Sequence, residues 1–167
     1  MRCNSLHKSV GAFMHVILVP FGIAGDVEPR TYVATAELLD AEMRDRAANH
    51  RLERGDRWRT IEEPFDIVPC LQELDGVVIV DCLTLWLSNW FLRDESQLQL
   101  EIDVLCSTFR DARCHVCAIT NEVGSSIVPE NPLARRFRDW SGLMNQRVAA
   151  TADAVYLMVC GIPIRVK

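Results

Sequence analysis

His50 stands among five arginines in the stretch "RAANHRLERGDRWRT", residues 46–60. A histidine ring nitrogen is a nucleophile near neutral pH. Arg51, Arg54, Arg57 and Arg59 carry the charge that would neutralise a bound triphosphate. Attack on phosphorus there would give a phosphoramidate and divide one difficult transfer into two easier ones. The same pattern also suits a packed histidine whose neighbouring arginines face water. A second group is Asp81, which ends the run "VVIVD". An acid at that point of a strand can reach a magnesium ion carried by nucleotide phosphates, or be a solvated strand end. A third, "TNEVG" (120–124), offers Asn121 and Glu122 to a cleft, with Gly124 permitting close backbone approach; the alternative is a polar turn. In "VATAE" (33–37), Thr35 and Glu37 stand beside a helix start able to receive an anion.

The elements that must position these groups are legible as apolar runs. "TYVATA" (31–36), "GVVIVD" (76–81), "CHVCAITN" (114–121) and "AVYLMVCG" (154–161) read as strands covered on both faces, because they are continuous rather than alternating. Helical spacing begins at Glu37, where Leu39, Met43, Ala47 and His50 recur on one side. Further helices are expected over 83–92, 95–110 and 130–150. The last opens with Asn131 as N-cap and Pro132 at the first helical position, and carries the stripe Leu133, Phe137, Trp140, Met144 and Val148. Alternating strands and helices imply an α/β fold, a mostly parallel sheet with helices on both faces. Ligands then bind at the carboxyl ends of the strands.

A chain of 167 residues is the size of one domain. Its net charge of −5 argues against general nucleic-acid binding, so any anion site must be a local cluster. The seven cysteines lie mostly inside apolar runs and read as reduced structural thiols in a cytoplasmic protein. Cys114 and Cys117 form a C-x-x-C, but on a strand they face opposite ways and would not share a metal. The N-terminal "MRCNSLHKS" and "VGAFMHVILVPFGIAG" have the outline of a signal peptide; His15 and Pro20 interrupt it, no A-x-A site follows, and the run is short for a membrane span.

Taken together, "TYVATAELLDAEM", "RAANHRLERGDRWRTIEEP", "VVIVDCLTLWLSN", "TNEVGSSIVPENPLARRFRD" and "GLMNQRVAATADAVYLMVCGIPIRVK" resemble the bifunctional adenosylcobinamide kinase/adenosylcobinamide-phosphate guanylyltransferase family, from Thr31 to Lys167. The resemblance implies a RecA-like P-loop NTPase fold, a homotrimer, and two reactions of cobalamin biosynthesis. In the first, ATP or GTP phosphorylates adenosylcobinamide; in the second, GMP passes from GTP to adenosylcobinamide phosphate through a guanylylated histidine, giving adenosylcobinamide-GDP. By resemblance that histidine is His50. The guanine-nucleotide contacts are Thr35, Ala36, Glu37, Arg51, Leu52, Glu53, Arg54 and Glu62, and Asp81 is the strand-end acid that serves Mg2+ and nucleotide.

The chain departs from the family at its start. Members begin with a strand and a glycine-rich loop of the form G-G-x-R-S-G-K-S, whose backbone N–H groups close around phosphate. Here the nearest remnant is "SLHKS" (5–9), with His7 where the final glycine belongs. Alternatively, Val16–Val19 is the first strand and "PFGIAGD" (20–26) its loop, with Gly22 and Gly25 but no following lysine. Residues 1–30 thus read as divergent, mis-started or frameshifted. A catalytically impaired or inactive homologue is the competing expectation, with the kinase step the more damaged.

Overall fold

A computed structural model of the chain describes residues 15–19, 27–125 and 127–167; "SLHKS" and "PFGIAGD" lie outside them. Seven strands form one sheet in the order β3-β2-β4-β5-β1-β6-β7. They are β1 (His15–Val19), β2 (Arg30–Ala34), β3 (Arg59–Glu62), β4 (Val77–Asp81), β5 (His115–Asn121), β6 (Ala154–Val159) and β7 (Ile162–Arg165). The helices are α1 (Ala41–Arg54), α2 (Ile67–Glu73), α3 (Leu83–Asp94), α4 (Leu98–Asp111) and α5 (Pro132–Thr151).

The expected α/β architecture is present, with β3, β2, β4 and β5 as a parallel block. Their two faces are sorted by the alternation of the strand. Val33, Val78, Val80 and Ala118 turn to one face and pack with α2, α3, α4 and α5 around Trp86, Leu87, Ile102 and Met144. Trp86, Leu87, Ile102 and Met144 are fully buried, each contributing about 1.5–3 kcal/mol by leaving water. Tyr32, Ile79, Cys117 and Ile119 turn to the other face, where Trp58 and Ala34 join them. Cys114 and Cys117 accordingly fall in different clusters.

Three departures from the expectations have physical causes. The helix expected from Glu37 starts at Ala41, because the Asp40 carboxylate accepts from the Met43 N–H at 2.7 Å and caps it there. Leu39 therefore lies outside the helix and is 79% exposed. The short elements β3, α2 and β7 were not expected. The strand expected over Val16–Val19 exists as β1, but it runs antiparallel to both neighbours, with His15 opposite Asn121 and Leu18 opposite Ala118. Its carboxyl end therefore lies beside the amino end of β5.

Two further details fix the site's strands and helix. Gly76 turns into β4 at φ +73°, and a Cβ there would sit 2.1 Å from the Pro29 carbonyl oxygen. That same oxygen accepts from the Val77 N–H at 2.9 Å. Asn131 caps α5 as expected, its side chain accepting from Leu133 at 2.8 Å and Ala134 at 3.2 Å.

Candidate functional site

Glu62, Ala34 and Asp81 are register partners on the adjacent strands β3, β2 and β4. In a parallel sheet such partners point to the same face. Two acids therefore flank one small residue at the carboxyl edge, roughly 10 Å apart across two strand spacings. The face is the one away from α2–α5, since the Asp81 carboxylate accepts a hydrogen bond from the Tyr32 hydroxyl. The peptide that follows, Asp81–Cys82, is cis.

Tyr32 holds a second group. The Arg54 guanidinium lies over its ring, 3.7 Å from the centroid, in cation–π geometry. Arg54 also donates to the Thr60 hydroxyl at 3.5 Å, while its Nε is buried without a partner among the described residues. Burial first, and then the Asp81 carboxylate, push the Tyr32 hydroxyl well above its ordinary range, so it stays a donor. Burial, followed by the same carboxylate, raises the Cys82 thiol to about 11.

His50 lies on α1, the helix that carries Arg54. On that helix the partly covered side chains among those described are Met43, Ala47, His50 and Arg54, one stripe at helical spacing. His50 is thus half-buried, one turn before Arg54, on the stripe the sequence pattern gave it. Because α1 leads from the carboxyl end of β2 back to the amino end of β3, His50 lies nearer the carboxyl edge than Arg54 does.

The remaining nucleotide-contact expectations divide. Ala36 and Glu37 follow β2 at the same edge and are partly exposed. Thr35 is fully buried, and all its polar groups are engaged. Its N–H donates to the Asp81 carbonyl at 3.1 Å, its hydroxyl to the Cys82 carbonyl at 2.7 Å, and its own carbonyl accepts from Asn89 at 2.8 Å. It is a brace under the loop, and what the loop presents is Ala36 and Glu37. Arg51 and Leu52 face outward from α1, Leu52 at 79% exposure, while Glu53 shares that helix. The four-arginine nest does not assemble. Arg59 opens β3 at the amino edge, and Arg57 lies 3.8 Å from Glu28, which precedes β2. The reason is the length of α1, which carries the chain back across the sheet between Arg51 and Arg59.

Behind the edge, on the helix-covered face, lies a directed hydrogen-bond circuit that sequence reasoning missed. The Asn121 N–H donates to the Thr84 hydroxyl at 2.9 Å, and Thr84 and Thr120 hydroxyls meet at 3.2 Å. Thr120 donates to Asn145 Oδ1 at 2.8 Å. The Asn145 amide then donates to the Asn121 carbonyl at 3.1 Å and to Glu122 Oε1 at 3.0 Å. Each neighbour demands one orientation of that amide, so "TNEVG" is held from α5. Asn89 does the same for two loops, donating also to the Pro64 carbonyl at 2.9 Å. The available signal was an amide on the apolar side of a helix, which burial permits only with partners.

A cavity of about 250 Å3 lies elsewhere, at the amino edge between Arg110, Arg113, His115, Val148 and Asp153, and shares no residue with this group. Among the described residues no three His, Cys, Asp or Glu side chains form a metal-binding cluster, and no helix is long and apolar enough to cross a membrane.

Comparison with known proteins agrees with the resemblance read from the sequence. The family described as cobinamide kinase / cobinamide phosphate guanyltransferase matches residues 22–166. The bifunctional adenosylcobalamin biosynthesis protein CobP of Pseudomonas aeruginosa is 37% identical over 141 residues, covering 82% of this chain and 82% of the relative. The CobU proteins of Salmonella typhimurium and Escherichia coli, both also described as bifunctional adenosylcobalamin biosynthesis proteins, are each 35% identical over 167 residues, covering 87% of this chain and 90% of the relative. A match over most of the chain, together with these identities, means that the chain belongs to the cobinamide kinase / cobinamide phosphate guanyltransferase family.

Proposed function

We propose that this protein is a cobalamin-biosynthesis enzyme that phosphorylates adenosylcobinamide with ATP or GTP and then transfers GMP from GTP to the phosphate so formed. The observation that carries this reading is that Asp81 and Arg54 meet through Tyr32 on one face of the sheet, with Glu62 at the same register level and His50 one turn before Arg54 on the partly covered stripe of α1. In the second reaction a His50 ring nitrogen attacks the α-phosphorus of GTP. A P–N bond forms, the bond to the bridging oxygen breaks, and pyrophosphate leaves. An oxygen of adenosylcobinamide phosphate then attacks the same phosphorus and releases His50, giving adenosylcobinamide-GDP. Arg54 offers charge to the developing phosphate oxygens, and Glu37 and Glu62 offer acceptors to guanine N–H groups.

A Mg2+ ion bound with the triphosphate would supply charge neutralisation, and its need from the protein would be one or two carboxylates. The Asp81 carboxylate fits that need, since the Tyr32 hydroxyl engages one of its oxygens. The protein works in the cytoplasm as a homotrimer, with corrinoid and nucleotide as its partners.

A second reading has its own support. A loop following β1 would start from the amino edge, away from Asp81, because β1 is antiparallel to β5. The sequence also has no G-x-x-x-x-G-K-[ST] loop. Both features favour a weakened kinase step, or a non-catalytic homologue. Incubation with α-labelled GTP and Mg2+ separates the readings. An active transferase acquires acid-labile, base-stable label that His50→Ala lacks; a protein without label on either chain is the non-catalytic homologue.

A further inference from the structure

Tyr32 touches both halves of the site without reacting in either. Its hydroxyl donates to Asp81, and its ring face carries Arg54 at 3.7 Å. His50 sits one turn away on the same stripe of α1, about 6 Å along the axis. The rest of that helix gives it little grip on the sheet. Its described side chains outside the stripe Met43, Ala47, His50 and Arg54 are exposed, and Met43 is the only long apolar member of the four. The stack of Arg54 on Tyr32, beside its long hydrogen bond to Thr60, is therefore what fixes the end of α1 against the face bearing Glu62, Ala34 and Asp81.

We propose that Tyr32 is a positioning residue for guanylyl transfer, its ring seating Arg54 so that His50 is held over the strand-end acids. The ring and the hydroxyl have separable duties. The flat face positions α1, while the hydroxyl holds the Asp81 carboxylate. The proposal rests on the reading of His50 as the guanylyl acceptor, so its test starts from that reaction.

The rate at which His50 acquires label from α-labelled GTP is measured at saturating nucleotide, with folding checked by circular dichroism. Tyr32→Phe keeps the ring but releases the Asp81 carboxylate, and should slow labelling clearly less than loss of the ring does. Tyr32→Met keeps the bulk but not the face, and should label about tenfold more slowly, the scale of a partly desolvated cation–π contact. The GTP concentration for half-saturation should move much less than the rate, because the duty assigned to the Tyr32 ring is to seat α1 rather than to bind nucleotide. Arg54→Lys keeps a charge for phosphate but loses the flat group, so it should be slowed alike. It decides the matter if Tyr32→Met does not fold. Labelling of Tyr32→Met at the wild-type rate, or of Tyr32→Phe as slowly as Tyr32→Met, overturns the proposal alone. If Tyr32→Met does not fold, labelling of Arg54→Lys at the wild-type rate does the same. An unlabelled wild type overturns the His50 reading, and this proposal with it.

Discussion

Cys82 shows how one buried group ties stability to pH. Its thiol is raised from 9.0 to about 11, first by burial and then by the adjacent carboxylate. The unfolded chain gives up this proton first, so the contribution is complete below about pH 9 and is lost as pH climbs towards 11. Thermal unfolding should therefore come at lower temperature at pH 10.5 than at pH 8, and Cys82→Ala should flatten part of that fall. Asn89 allows a second measurement. Removing its amide strands the Thr35 and Pro64 carbonyls, and Asn89→Ala should cost about 1–3 kcal/mol in urea unfolding. These residues also show what could be read from sequence. The place of His50 on a helical stripe and of Asp81 at a strand end was legible because the patterns around them are regular. Tyr32, Asn89 and Asn145 were not, because their roles depend on partners 49, 54 and 25 residues away along the chain.

At the level of elements, two glycines separate backbone freedom from available space. Gly142 lies inside α5, and a Cβ there meets nothing within 4 Å. Gly142→Ala should stabilise the protein by about 0.5–1 kcal/mol, read as a higher urea midpoint at unchanged slope. Gly76→Ala combines a positive φ with a 2.1 Å clash against backbone, and should lose more stability than Gly142→Ala gains, or fail to fold. The long elements were legible for the same reason that they are stable: β2, β4, β5 and α5 bury continuous or striped apolar surface. β3 was hidden because Arg59 and Glu62, its two ends, are exposed. Pro69 and a length of seven residues hid α2. A run such as "HVILV" shows that a strand exists but carries no direction, so the reversal of β1 could not be read from it.

The whole molecule is where nucleotide binding and assembly are decided. A protein that binds GTP in its native state gains about 2.7 kcal/mol at a ligand concentration of 100 times Kd. GTP with Mg2+ should therefore raise the melting temperature if the site is intact, and leave it unmoved in a chain that has lost nucleotide binding. Light scattering after gel filtration should give about three times the 18.9 kDa chain mass; a monomer would sink the homotrimer. The orientation of β1 bears on any attempt to introduce a glycine-rich phosphate loop by grafting. Such a donor segment needs a strand that delivers it beside Asp81, and Val19 ends at the other rim. A transplant spliced there would be a change of topology rather than a loop exchange: it would have to bring its own strand and turn this one round.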